Sequence, residues 1–182
     1  MQFCHGDPTI PVMLGRPEPT EAAPNYHGYI SRIKSDDVVS VLETQLEETL
    51  SFLRGISEEK SLHRYGPDKW SIRQLLNHVN DTERIFGFRA LWFARGFPGD
   101  LPGYDQDTGV AAAGADGISW AAQVEEFRSI RLATLAFLRN LPEDAWLRGG
   151  VANDNPVTVR ALAYILAGHV AHHAEILKQR YL

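Results

Sequence analysis

Three of the chain's seven histidines stand within five positions, in Gly168-His169-Val170-Ala171-His172-His173. Residues four apart on a helix share a face, with Cβ atoms ~6 Å apart, so His169 and His173 can aim ring nitrogens at one metal ion. Helical geometry tells which of them turn inward. At about 100° per residue, with Leu166 as reference, Val159, Leu162, Ala163, Val170, Leu177 and Tyr181 cluster within about 60° and form the buried stripe. His173 falls about 20° from Leu166 and His169 about 60° away, while His172 lies at about 120°, on the border of the stripe. Burying two imidazoles side by side is costly unless their nitrogens find partners, and a shared cation satisfies one nitrogen of each.

A third ligand must come from another helix. His78, in Leu75-Leu76-Asn77-His78-Val79, flanks an apolar stripe made by Ile72, Leu75, Leu76, Val79 and Phe86. A hydrogen-bonded histidine on a helix flank, with no metal, is the competing reading of that position. His5 and His27 in the N-terminal arm and His63 in the first connection are read as surface or structural residues.

Three neutral imidazoles leave coordination positions open to water or substrate, which is the pattern of a catalytic rather than a closed structural site. Such an ion lowers the pKa of a water or thiol towards neutrality, so hydrolysis and thiol transfer both follow from one property. Imidazole donors favour zinc, nickel, copper or iron over magnesium or calcium. Glu83 falls inside the same apolar stripe as Ile72 and, as a buried carboxylate, must be paired. It is a general base, a hydrogen-bond partner to a ligand imidazole, or a structural partner of Arg89 or Arg73, the last two being preferred to the first. Asp105 and Asp107, in the connection after the second helix, are the acids able to reach the open end of a bundle and contact substrate.

The elements that must hold these side chains are helical. Ser35-Asp36-Asp37 offers an N-cap ahead of Leu42, Leu46, Leu50 and Leu53, and this first helix ends near Gly55. Ser71 with Gln74 forms a capping box, with Trp70 and Leu75 as its hydrophobic staple, and that helix runs to about Arg95, before Gly96 and Pro98. Residues 96–117 read as a long loop. Ser119 caps a third helix ending near Asn140, and a fourth runs from about Thr158 to the C-terminus after a turn at Asn153 to Pro156. No strand pair is expected. The class is all-α, a four-helix bundle over residues 29–182, preceded by a proline-rich extended arm, residues 1–28, in which no core is expected.

Composition narrows the partners. A net charge of −5 and a pI near 5.8 offer no basic face for phosphate backbones, which argues against nucleic acid as the main partner. No apolar run approaches the ~18 residues of a membrane span, the start lacks a signal-peptide layout, and the lone Cys4 excludes an internal disulfide. A cytoplasmic protein is the expectation.

Lys69-Trp70-Ser71-Ile72-Arg73-Gln74-Leu75-Leu76-Asn77-His78, then Asp81-Thr82-Glu83-Arg84-Ile85-Phe86, Leu101-Pro102-Gly103-Tyr104-Asp105-Gln106-Asp107 and Gly168 to Leu177 follow one another in an order that resembles the DinB-like helical-bundle family. The likeness spans about residues 26 to 182. It implies an up-down-down-up bundle, a divalent metal held by His78, His169 and His173, and a homodimer. It also implies transfer of a low-molecular-weight thiol, as in the bacillithiol- and mycothiol-dependent members, or another reaction on a small substrate. A non-catalytic dimeric bundle serving binding or stress response is the alternative, and it requires no metal.

Overall fold

The structure, a computed structural model, describes residues 14–182. Cys4 and His5 lie outside the described residues. The elements are α1 (His27–Ile30), α2 (Val38–Arg54), α3 (Ile72–Ala94), α4 (Gln106–Ala113), α5 (Trp120–Arg139), a hairpin of β1 (Gly149–Ala152) and β2 (Asn155–Thr158), and α6 (Val159–Ile176), which continues into a π turn at Leu177–Tyr181.

Each long helix begins where a short polar side chain satisfies its free N–H groups. Asp37 accepts from the Ser40 N–H, Ser119 from Ala122 and Thr158 from Ala161, and Ser71 and Gln74 close a reciprocal capping box. The buried faces are the leucine series of α2, the Ile72 to Phe93 stripe of α3, the Val124, Phe127 and Leu135 stripe of α5, and nearly the whole first three turns of α6. An α6 apolar on most sides is a central element, so it must be covered by more than one neighbour.

The order of helices around the bundle is α2, α5, α3, α6, so α2 lies diagonal to α3 and α5 diagonal to α6. Side-chain pairs give the directions. Asn80 meets the Gln123 carbonyl, Arg84 meets Glu126 and Arg95 lies over the Phe137 ring, so numbers rise together and α3 and α5 are parallel. Gln45 reaches the Ala167 carbonyl and Phe52 lies under Lys178, so α2 and α6 are parallel as well. Arg139 at the end of α5 pairs with Glu43 near the start of α2, and His78 early in α3 meets His169 late in α6, which makes those two pairs antiparallel. The result is an up-down-down-up bundle. A 23-residue α3 is ~35 Å long, and a parallel α5 can follow only if the chain returns along that length. The long connection between them is therefore imposed by topology.

Three expectations need correction. The segment read as a loop over 96–117 contains α4, whose N-cap is Asp105. It escaped notice because its eight residues are rich in Gly and Ala and make no apolar stripe. A strand pair exists where none was expected: Gly149–Ala152 pairs antiparallel with Asn155–Thr158, and Asn153 and Asp154 both have positive φ, as a two-residue hairpin turn with the twist of its strands requires. Residues 14–28, the described part of the expected 1–28 arm, are neither extended throughout nor without core. They form two 3-10 turns and the start of α1, Ala22 and Ala23 are buried, and Ala22 bridges to Val157 at the edge of the hairpin. What draws the segment down is Arg160, which pairs with Glu21 and donates to the Leu14 carbonyl, while Thr158 also donates to Glu21.

Candidate metal centre

His78 sits two turns after the Ser71 cap of α3, and His169 and His173 occupy successive turns near the end of antiparallel α6. The Nε2 of His169 lies 3.1 Å from that of His78 and 3.0 Å from that of His173. One ligand atom from each of the three falls within 4.8 Å of the others, and among the described residues no carboxylate or thiol joins the cluster. His172 does not join them. It is half-buried, and its Nδ1 faces a guanidinium nitrogen of Arg32, which also pairs with Glu175.

Burial holds all three rings neutral. It pushes the His78 pKa down to about 4 despite the opposing field of Asp107, and that of His173 down to about 3 with help from His78 and His172. His169 is lowered well below its ordinary value, by burial first and then by the other histidines. Neutral rings can each donate one N–H, yet the His169 Nε2 faces two others at once. One proton can bridge one of these contacts, and the other is then left without an arrangement that satisfies both partners.

A cation removes the conflict. Three nitrogens bound tetrahedrally at ~2.05 Å stand ~3.3 Å apart, close to the 3.1 and 3.0 Å that separate the His169 Nε2 from its two neighbours. The residues present therefore fit a divalent transition metal. Trp70 and Tyr29 hold the rings from two sides, with centroids 5.1 Å from His78 and 5.4 Å from His169. The staple reading of Trp70 did not foresee this contact. His173 Nδ1 is buried without a hydrogen-bond partner among the described residues.

Tyr29 reaches the site because α1 lies directly on α6. A Cβ on Gly168 would stand 2.1 Å from the Tyr29 carbonyl oxygen, so only glycine permits the approach.

Beside the histidines opens a cavity of about 400 Å³, lined by Asn25, Tyr26, Tyr29, His78, Thr82, Phe86, Arg89, Tyr104, Asp105, Gln106, Asn153 and His169. Burial pushes the Tyr29 and Tyr104 hydroxyls up in pKa, so both remain protonated, and Tyr104 shares a 2.9 Å hydrogen bond with Thr82. Asp105 stands at the mouth, where its carboxylate accepts the Thr108 N–H and caps α4. Asp107 is exposed in the first turn of α4.

Glu83 is turned away from the cluster. Its two oxygens accept from Nε and Nη2 of Arg131, at 2.7 and 2.8 Å, so neither Arg89 nor Arg73 is its partner. Arg73 instead donates to Ser61 and to the Asp116 and Ile118 carbonyls, tying the connections together. Thr82, Phe86 and Arg89 were not singled out for the site, although their spacing from His78, four, eight and eleven residues on, carries them along one helical face.

The sequence profile of the DinB superfamily matches residues 42–177. The chain belongs to the DinB superfamily. Among solved structures this DinB chain is similar to YfiT from Bacillus subtilis, described as a probable metal-dependent hydrolase with an unusual four-helix bundle topology. The TM-score is 0.63 at 19% identity, over 79% of this chain and 86% of that one. At that identity the likeness speaks for the fold alone. No curated protein matches this DinB chain by sequence. No helix among its described residues is long and apolar enough to cross a membrane.

Proposed function

We propose that the chain is a metal-dependent enzyme in which His78, His169 and His173 hold a divalent transition metal, zinc, nickel or iron, and act on a small molecule admitted through the adjoining cavity. The observation that carries this reading is the approach of the His169 Nε2 to both other Nε2 atoms, in a cluster that no carboxylate joins among the described residues. The description of YfiT as a probable metal-dependent hydrolase agrees with it. Hydrolysis is the favoured reaction, and transfer of a low-molecular-weight thiol uses the same site.

When bound, the ion supplies Lewis acidity, bringing a water or thiol nucleophile near neutral pKa. The chain's own residues do the rest. Trp70 and Tyr29 fix the imidazole rings and keep bulk water from two sides of the cluster. The Tyr104 and Thr82 hydroxyls offer donors and acceptors along the cavity, and Asp105 at its mouth is placed to meet substrate. Glu83 acts on the site through α3, as a structural anchor.

Thermal melts test the reading. A ligand held only by the folded state at 100 times its Kd adds about 2.7 kcal/mol, so zinc should raise the melting temperature and a chelator should lower it. Equal melts with zinc and with chelator would remove the metal from the account.

The second reading is a dimeric bundle without catalysis, and one observation supports the dimer that both readings share. Phe88 and Leu91 are 50% and 38% exposed on α3 and border Ile130 and Phe137 of α5. The homodimer, whether catalytic or not, would cover this strip, and the chain would work in the cytoplasm.

A further inference from the structure

Arg89 is the cation of the cavity. Its residue is only 3% exposed, yet it has no carboxylate partner among the described residues, and its one hydrogen bond there runs from Nη2 to the Pro102 carbonyl at 2.8 Å. The guanidinium is clamped between aromatic rings, 5.2 Å from the centroid of Phe86 and 5.9 Å from that of Tyr104. Buried charges are normally paired, and the other deeply buried arginines, Arg131 and Arg73, both hold carboxylates. Arg89 holds none and lines the same cavity as His78 and His169.

We propose that Arg89 binds a carboxylate of the substrate, at the end of the cavity remote from the three histidines. The proposal rests on the metal-dependent reading and names its substrate class: a small carboxylic acid whose reacting group lies towards the cluster. Eleven positions on a helix cover ~16 Å along the axis. An arginine side chain leans back towards the helix N-terminus, which leaves on the order of 10 Å between the charged group and the histidines. Thr82 and Phe86 line the stretch between. The cation's unused N–H donors form a planar fork that matches a carboxylate. A phosphate dianion would find one positive charge and face Asp105 at the mouth, so the monoanion is the better match.

Suberic acid monohydroxamate and its terminal amide are suitable probes, because the hydroxamate can grip a metal while the far end reports on Arg89. Calorimetric titration of the zinc-loaded full chain should show the acid binding about tenfold or more tightly than the amide, the worth of a hydrogen-bonded charge. R89Q should bring the two affinities together, mainly by weakening the acid, whereas loss of a merely structural arginine would weaken acid and amide alike and keep their ratio. Equal affinities in the wild type, or a preference that persists in R89Q, overturn the proposal. Should R89Q fail to fold, R89K keeps the charge without the fork, and an undiminished preference there is equally contrary. If neither hydroxamate binds, the metal reading fails separately. Arg89 is then judged by octanoate against octanamide on the protein as purified, followed by ligand line broadening: preference for octanoate that R89Q removes supports it, and equal binding overturns it.

Discussion

Arg131 on α5 grips both carboxylate oxygens of Glu83 on α3, and with 0% and 2% of their side chains exposed the two charges have only protein around them. Arg131 also donates to Gln45 on α2, so one buried side chain links three of the four long helices. Removing one partner of such a pair strands the other charge in the core and costs about 3–5 kcal/mol. Glu83→Ala should lose stability of that order in denaturant melts. Replacing both, as Glu83→Leu with Arg131→Met, should recover most of it. A Glu83→Ala protein as stable as wild type would mean that the pair does not form.

Gly168 should tolerate no side chain. A methyl there meets backbone, the Tyr29 carbonyl, and backbone cannot swing aside. Gly168→Ala should destabilise by about 1–3 kcal/mol, as overpacking does, and should shift the Tyr29 ring off His169. Tyrosine fluorescence and melts of the variant check both.

The N-terminal segment should be released by acid. Burial alone would raise the Glu21 pKa, but hydrogen bonds from Arg160, the Glu18 N–H and Thr158 outweigh it, so the folded value lies below the ordinary value of about 4.5. A depressed folded pKa contributes stability that is complete above about pH 4.5 and is lost as pH falls through the folded value. Wild type should therefore lose stability below pH 4.5 more steeply than Glu21→Gln. Parallel pH profiles of the two proteins would contradict the assignment.

What the sequence made legible depended on how local the cause was. The Ser71 and Gln74 cap lies within four residues of its own helix, and the inward turn of His169 and His173 follows from the periodicity of the same α6 that carries them. Glu83 shows the limit. Its need for a partner was visible, but Arg131 is 48 positions away and becomes a neighbour only because α3 and α5 run parallel. The hairpin was hidden for another reason: its strands are four residues each, one beginning with two glycines and the other carrying Pro156, too short and too irregular for alternation to register. Arg89 was weighed as a partner for Glu83, and its place in the cavity appears only once Phe86, Tyr104 and the connection at Pro102 close around it.

Diffraction recorded across the zinc, nickel and iron absorption edges, from crystals of untagged protein grown with those metals, tests the central claim most directly. The account predicts a single anomalous peak ~2.1 Å from the Nε2 atoms of His78, His169 and His173. No peak between those rings, or imidazoles packed against one another with the ion bound elsewhere, would contradict it.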